Sequence, residues 1–230
     1  MSPPKPITAA DFDISKVKFG TAKNLDNGGK IIPISYNDGQ FIVQTPKLSC
    51  PYGVSVWENS DKHSVEVSFG KHEENSDLGA FFSMAQELNK LILNEALDKS
   101  NAWFKKKHTQ IEVIEALYTS LIKYSKDKTT GEISHAYPPT FKIGLPKSPD
   151  GNWRFQAYSA ERELVDFGAI NLKGGEMIAL IQCTGVWVAG GKCGCTWNAV
   201  QVKVFPNGKS LPPFAFLPDP EEDYADFVPA

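Results

Sequence analysis

The sequence predicts an α+β fold that is mainly β, with a helical insertion between two β-rich halves. β-rich segments occur between residues 30 and 69 and again from residue 140, and in residues 52–57 and 64–69 apolar and polar residues alternate, as they do in half-buried strands. Between these halves the apolar residues recur at helical spacing. Glycine and proline separate the short strand segments, which is typical of a β-sandwich or a barrel.

The N-terminal half is predicted to contain two hairpins. Residues 1–12 precede them, are rich in proline, and are expected to be flexible. The first hairpin spans residues 30–45 and turns at Asn37-Asp38-Gly39, because an Asp-Gly step between β-rich segments favours a tight turn. In the second hairpin, residues 52–57 and 64–69 alternate on either side of a polar turn.

The helical insertion is predicted to span residues 78–123 and to contain two helices. Apolar side chains share one face of the first helix, which ends near residue 97, as expected for an amphipathic helix. The second helix is predicted to begin at Thr109, because Glu112 follows at the spacing of a capping box. It is expected to continue to residue 123. Both helices are expected to pack against the core.

Five strands are predicted after the insertion, with glycines at their ends or bends. They comprise residues 140–145, 153–159, 164–170, 176–188 and 195–205. No internal repeat or linker divides the chain, so residues 13–217 are predicted to form one domain. Residues 218–230 hold five acids and no base and are predicted to form a disordered acidic tail.

Charge is segregated along the chain. The formal net charge is −3, yet nine lysines stand against four acids between Lys99 and Lys147. A basic surface is therefore expected in the middle of the chain, because electric fields act locally. The acidic tail is expected to compete for that surface.

Enzyme signatures are absent from the sequence. It contains no Walker loop, no GxGxxG after a strand, no GxSxG elbow and no HExxH, and these are the motifs that mark common catalytic sites. The four histidines are scattered among polar residues. The sequence therefore predicts a protein that is not an enzyme and that holds no cofactor.

The cysteines near the C-terminal end suggest a zinc site, but their spacing does not fit one. Cys193 and Cys195 are separated by one residue, whereas zinc-binding pairs usually have two to four residues between the thiols. With Cys183 upstream, the site would need Cys50 as a fourth ligand. We interpret these residues instead as small buried thiols, and no metal is predicted.

The compartment is inferred from what the sequence lacks. No segment has the length of a membrane span, the N-terminus lacks the apolar core of a signal peptide, and four cysteines are too few for a disulfide scaffold. An intracellular protein with reduced thiols and no membrane partner is therefore expected.

Two segments combine bases with aromatic rings. Residues 105–107 form a lysine run beside Trp103 and Phe104, which is interpreted either as a solvated corner between helices or as a phosphate contact. Residues 153–158 alternate, with Trp153 and Phe155 on one face and Arg154, Gln156 and Tyr158 on the other. Rings that stack on bases and lysines that follow phosphates are what an unspecific single-strand binder needs. The alternative is that most of these rings belong to the core.

Residues 126–146 and 187–204 resemble a known family. They include Tyr137-Pro138-Pro139-Thr140-Phe141-Lys142 and Gly190-Gly191-Lys192-Cys193-Gly194. Together they are similar to the single-stranded DNA-binding proteins of large eukaryotic DNA viruses, which are OB-fold proteins with added helices. The late strand pair and acidic tail also resemble those of phage single-stranded DNA-binding proteins.

The resemblance implies an OB-fold-like barrel with two inserted helices, a binding groove beside residues 137–142, and a turn at residues 190–194 whose Lys192 reaches a phosphate. The predicted nucleic-acid-binding residues are Lys105, Lys106, Lys107, Lys123, Tyr137, Lys142, Trp153, Arg154, Phe155, Tyr158 and Lys192. The tail residues predicted to occupy the groove and to recruit partners are Asp219, Glu221, Glu222, Asp223, Asp226 and Phe227.

The resemblance also implies a function. The chain is expected to bind single-stranded DNA without sequence preference in viral DNA replication, recombination or repair, inside the host cytoplasm or nucleus at sites of viral replication. Its expected partners are single-stranded DNA and, through the acidic tail, replication proteins. A homo-oligomer is a further option. The alternative is a structural protein of a virus particle with a β-sandwich fold.

Overall fold

A computed structural model describes residues 5–57 and 62–208. Its helices are α1 (Ser76–Asp98), α2 (Ser100–Phe104) and α3 (Ile111–Leu117). Its strands, in chain order, are β1 (Ile7–Thr8), β2 (Val17–Phe19), β3 (Lys23–Asn24), β4 (Lys30–Ile32), β5 (Ile34–Tyr36), β6 (Ile42–Gln44), β7 (Leu48–Cys50), β8 (Val54–Val56), β9 (His63–Ser68), β10 (Tyr118–Thr119), β11 (Ile122–Lys123), β12 (Ser125–Lys126), β13 (Ile133–Ser134), β14 (Thr140–Leu145), β15 (Gln156–Tyr158), β16 (Gly175–Ala189) and β17 (Lys192–Phe205).

Five of these strands close into a barrel. β7 pairs with β9, β9 with β14, β14 with β17, β17 with β16, and β16 returns to β7. Only the β14–β17 pair of this ring is parallel. Numbered by their order in the chain, the five strands follow one another as 1-2-3-5-4, and they form a five-stranded barrel of the OB type. The predicted α+β, mainly β fold with an OB-like barrel is confirmed.

The interior of the barrel is filled by alternate residues of each strand, since successive side chains of a strand point to opposite faces. On β14, Phe141 and Ile143 are buried and Lys142 between them is exposed. On β9, Val65 and Val67 are buried in the same way. The buried indole of Trp197 meets the ring of Phe141 at a centroid distance of 6.3 Å. Each such side chain contributes about 1.5–3 kcal/mol when fully buried.

The longest strands, β16 and β17, form one hairpin. Its turn is Gly190-Gly191, with φ of 58° and 74°, because a two-residue hairpin turn of this kind needs positive φ at both positions. The hairpin is longer than the barrel, and β16 continues past β7 to pair with β6 and then with β4. A bulge between Cys183 and Gly185 accompanies this change of partner.

The predicted first helix is confirmed as α1. It begins after Asn75, whose side-chain oxygen accepts the backbone N–H of Leu78 at 3.0 Å, as an N-cap residue does. Its buried face includes Phe81, whose ring lies 5.2 Å from that of Phe141. The helix therefore packs on the barrel core, as expected. None of the helices within the described ranges is long and apolar enough to cross a membrane.

The predicted second helix is wrong in its extent. α3 ends at Leu117, Gln110 rather than Thr109 precedes it, and no side chain caps it. Residues 118–123 instead supply β10 and β11, which pair with β17 and β14. Asn89 of α1 holds this segment, since its Oδ1 accepts hydrogen bonds from the Tyr118 hydroxyl at 2.8 Å and from the Leu121 backbone N–H at 3.0 Å. Pairing with the barrel overrides local helical preference here, and the insertion contains the short helix α2 as well.

The N-terminal segment is paired rather than flexible from Ile7 onward. β1 pairs with β6, and the ring of Phe12 stacks on Tyr36 at 5.9 Å. The expected turn is present, with Asn37 and Asp38 at positive φ. Its flanking strands do not form the predicted hairpin, because β5 pairs with β2 and β6 pairs with β16. The hairpin of β8 and β9 is confirmed.

The expected strand at residues 164–170 is also wrong. Leu164 makes one bridge to Tyr158, and a 3-10 turn follows at Phe167–Ala169. Asp166 accepts the backbone N–H of Gly168 at 2.9 Å, and this local bond competes with extended pairing.

Candidate nucleic-acid interface

The outward side of β9 and β14 carries a cluster of charged groups. Lys142 of β14 lies directly opposite Glu66 of β9. Lys123 of β11 donates to Glu66 Oε1 at 2.9 Å, and Thr140 donates to Oε2 at 3.5 Å. The Glu66 carboxylate therefore forms an ion pair with Lys123 and lies beside Lys142. We call Trp57, Lys123, Tyr137 and Lys142, with Glu66 among them, the outer face.

An exposed indole lies over this cluster. Trp57 follows β8, and 60 % of its surface is exposed. The Lys142 ammonium lies 4.7 Å from the centroid of its ring, within the range of a cation–π contact. The Trp57 backbone N–H bonds the Lys62 carbonyl at 3.1 Å, which fixes where the ring leaves the strand. The cation thus lies over one face of an exposed aromatic ring.

The Lys142 ammonium is partly withdrawn from water. Its pKa is lowered from the ordinary value, mainly because burial disfavours the charged form, and the charge of Lys123 lowers the pKa further while Glu66 raises it. A cation that has already lost part of its hydration loses less on meeting an anion. Lys142 is therefore suited to contact a phosphate.

A second exposed ring precedes the same strand. Tyr137 lies in the segment between β13 and β14, and 64 % of its surface is exposed. Lys142 follows it by five positions, so the two Cα atoms are at most about 18 Å apart. The predicted segment 137–142 thus places two exposed groups on the path that leads to β14.

The hairpin of β16 and β17 brings a further cation to this end of the barrel. β17 runs parallel to β14, so that Lys192, its first residue, lies at the end where β14 begins. Lys192 is exposed. The turn is confined to residues 190–191, and residues 192–194 already belong to β17.

The lysine run of residues 105–107 lies at the hairpin end as well. All three side chains are exposed, and Lys105 ends α2 with φ of 58°. Lys30 lies opposite Val188, two residues before the turn, and its ammonium donates to the Ala102 carbonyl of α2. The run is therefore on the helical insertion, beyond the outer face.

The predicted aromatic segment after β14 divides into core and surface. The ring of Phe155 packs 5.4 Å from Trp153 and 5.0 Å from Phe167. Phe155 is only 8 % exposed, so its prediction as a base-stacking residue is wrong: it directly precedes β15, and its ring packs in the core. Trp153 is half-buried with the Lys147 ammonium 4.4 Å over its ring, and Arg154 is exposed.

Tyr158 is half-buried, and its hydroxyl donates to Gln156 Oε1 at 3.0 Å. β15 pairs with the same edge of β17 as β14 does, farther along that strand. The Trp153 ring meets the ring of His63, the first residue of β9, at a centroid distance of 5.1 Å. Trp153, Arg154 and Tyr158 thus lie beyond the end of β14, whereas Lys123 and Lys142 lie beside Glu66 on the outer face. The tail residues Asp219, Glu221, Glu222, Asp223, Asp226 and Phe227 lie outside the described residues.

Trp57 was missed among the candidate site residues. Parity along β8 does not identify it, because Trp57 lies after the last residue of that strand and Val56 before it is exposed as well. A tryptophan side chain is usually largely buried in a folded protein, so an exposed one is unusual. It is the exposure of Trp57, together with its contact to Lys142, that makes it a site residue.

The thiols occupy a different part of the barrel. Cys50, Cys183 and Cys193 are buried, in agreement with their interpretation as small buried side chains. Cys183 Sγ and Cys195 Sγ lie 3.4 Å apart. Burial raises the pKa of Cys193 to about 12, so its thiol is protonated at neutral pH. Within residues 5–57 and 62–208, no group of three or more potential ligands is placed to hold a metal ion.

Comparison with protein families shows one match. The family described as "Family of unknown function (DUF5871)" matches residues 65–222, more than half of the chain. No curated protein matches the sequence.

Among solved structures, the chain is similar to the single-stranded DNA-binding protein from bacteriophage Enc34, with a TM-score of 0.44, 14% identity, and coverage of 90% of this chain and 99% of that one. The same phage protein in complex with single-stranded DNA gives a TM-score of 0.44 at 14% identity, covering 83% and 96%. The gp2.5 single-stranded DNA-binding protein of bacteriophage T7 gives a TM-score of 0.46 at 7% identity, covering 74% and 93%.

Proposed function

Since the chain belongs to the family of unknown function DUF5871, we propose its function from its own surface: it binds single-stranded DNA on the outer face of its barrel, without sequence preference and without catalysis. The observation that carries this proposal is the pairing of Trp57 and Lys142, an exposed indole with an ammonium 4.7 Å from its ring centroid. A base that stacks on this ring places its phosphate near the ammonium.

The chemistry of the outer face suits single strands. Aromatic rings stack on bases at about 1–3 kcal/mol each, and every base has a face that can stack, so such contacts carry little sequence information. Trp57 and Tyr137 are rings of this kind, and Lys123 and Lys142 supply the phosphate contacts. A duplex hides the faces of its bases, and the exposed rings therefore favour the unpaired strand.

The strand is proposed to run from Trp57 along β14 toward Tyr137. At the hairpin end it meets Lys192 and then the lysine run of residues 105–107, all of which are exposed. Cations at both ends of a ring-bearing face would guide the backbone over the barrel.

Salt dependence tests the role of the two lysines. Binding of a fluorescent oligo(dT) by a Lys123→Ala, Lys142→Ala variant is expected to be weaker, and the slope of log K against log salt is expected to decrease in magnitude by about 1.4, since each phosphate contact in a single strand contributes about 0.7. Fluorescence anisotropy over a series of salt concentrations measures this slope.

The matched control replaces Lys18 and Lys47, which form ion pairs with Asp38 at 2.7 Å and Glu176 at 2.9 Å and do not belong to the outer face. Their double alanine variant is expected to keep the wild-type slope. Equal slopes for all three proteins, or an equal decrease in both variants, would contradict the proposed interface.

The acidic tail is proposed to compete with DNA for the outer face and to bind replication proteins when DNA displaces it. In the cell, the protein would act in viral DNA replication, recombination or repair, in the host cytoplasm or nucleus at sites of viral replication. What supports these finer roles is the composition of residues 218–230, with five carboxylates and no base. Homo-oligomer formation on a shared strand is compatible with them.

Neutralising the tail tests the competition. A full-length variant in which the five acids are replaced by their amides is expected to bind oligo(dT) more tightly than the wild type at low salt, and this difference is expected to shrink as salt screens the tail. Anisotropy titrations at low and high salt measure both effects. The control is Phe227→Ala, which keeps the charge. Unchanged affinity at low salt after neutralisation would show that the tail does not compete.

A further inference from the structure

An apolar groove lies at the end of the barrel opposite to the hairpin turn. Val165 and Ile170 line one side, and Val204, Phe205 and Pro206 at the end of β17 line the other. Its volume is about 430 Å³, which lies in the range of sites that enclose small apolar groups. We call it the β17 groove. Its surface is distinct from the outer face.

Ser159, Ala160 and Glu161 also line the β17 groove, and an exposed apolar side chain lies next to it. Leu164 precedes Val165, and 69 % of its surface is exposed. Its backbone is fixed by a bridge to Tyr158, so the side chain is held at the surface rather than turned inward. An exposed leucine beside an apolar depression indicates a surface that another apolar segment covers.

The sequence supplies such a segment next to the groove. The described chain reaches Gly208, two residues after Pro206. Residues 211–217 then read Leu-Pro-Pro-Phe-Ala-Phe-Leu and carry no charge. We call these residues the apolar segment. They lie between the end of β17 and the acids that begin at Asp219.

We propose that the apolar segment binds in the β17 groove of its own chain. Leu211 follows Gly208 by three positions, which span at most about 11 Å, so the segment starts within reach of the groove walls. The short connection gives a high effective concentration, on the order of mM. Consecutive prolines favour an extended conformation with little entropy left to lose, and the two phenylalanines supply the apolar area.

This docking would determine where the acidic tail begins. β14 and β17 are parallel, and Leu145 at the end of β14 lies opposite His63, close to the hairpin of β8 and β9 that Trp57 leaves. The groove is thus at the Trp57 end of the barrel. A docked segment releases Asp219 there. The docking itself requires no DNA, so its test is independent of the proposed function.

Methyl NMR of the full-length chain tests the docking. In a Phe214→Ser, Phe216→Ser variant, the methyl resonances of Leu164, Val165 and Ile170 are expected to shift by several linewidths, whereas those of Ile143, which lies on β14 and does not line the groove, stay in place. In the wild type, NOEs are expected between the Phe214 or Phe216 ring and the Ile170 methyls. The control is Phe227→Ser, the same change outside the segment.

Three results would overturn the proposal. The groove methyl resonances could stay unchanged in the double variant, or they could shift equally in Phe227→Ser. They could also move on dilution of the wild type, which would show that a second copy rather than the chain itself fills the groove. The NOEs provide a measurement that does not depend on a variant, and their absence also counts against the docking.

Discussion

Replacing Trp57 by alanine is expected to weaken binding of single-stranded DNA by roughly 5- to 150-fold. Loss of a base–aromatic stack costs about 1–3 kcal/mol, and each 1.4 kcal/mol corresponds to about tenfold in affinity. The indole is 60 % exposed, so the change removes a binding surface and little of the core. The change also removes the ring that lies 4.7 Å from the Lys142 ammonium. Because a stacking contact and the position of a phosphate-binding cation are then both affected, a loss in the upper part of this range is expected.

Anisotropy with an oligo(dT) at one fixed salt concentration measures this loss. Trp57→Phe keeps a ring at the position and is expected to restore most of the affinity. Leu25→Ala removes an exposed apolar side chain that belongs neither to the outer face nor to the β17 groove, and it is expected to bind like the wild type. Binding by Trp57→Ala at the wild-type affinity would remove the observation on which the proposed function depends.

Replacing Gly185 by alanine is expected to destabilise the fold by about 3–5 kcal/mol. Gly185 has φ of 112°, a backbone conformation that residues with a Cβ rarely adopt. A Cβ built there would lie 2.4 Å from the carbonyl oxygen of Ile32 on β4. Because that oxygen is backbone, it cannot rotate away, and the bulge that leads β16 from β6 to β4 would have to rearrange.

Urea denaturation of the two proteins measures the difference in the free energy of unfolding. Gly191→Ala is the matched control, because Gly191 also has positive φ, 74°, but a Cβ there meets nothing within 4 Å. Its cost is expected to be about 1–2 kcal/mol from backbone conformation alone. If both variants lose the same stability, the close approach of β16 to β4 is not what requires glycine at position 185.

Local patterns in the sequence were sufficient for much of the secondary structure. The alternation of residues 140–145 predicts β14 with its observed bounds, and the helical period of residues 78–97 predicts α1 to within two residues at its start. The inward and outward positions of residues 153–158 also follow from alternation. These elements can be predicted because each depends on residues that are close in sequence, where the hydrophobic period and the turn residues can be read directly.

The position of the candidate site residues follows from the sequence in part, and their role in binding stays a prediction. Lys142 and Lys123 lie beside Glu66 on the outer face, and Tyr137 is exposed in the segment that leads to β14. Phe155 was wrongly placed among the site residues and Trp57 was left out, because alternation separates two faces but does not say which one the barrel encloses. That choice depends on which strands close the ring.

Strand partners were decided by the closure of the barrel rather than by local pattern. Residues 118–123 are compatible with a helix, yet they pair with β17 and β14 because pairing satisfies backbone groups and buries Leu121 and Ile122. β5 likewise pairs with β2, which lies earlier in the chain. The sequence by itself determined α1, β14, the alternation of faces along the strands and the charge of the tail. The assembled barrel determined which surface carries Trp57 beside Lys142, since that contact joins residues 85 positions apart.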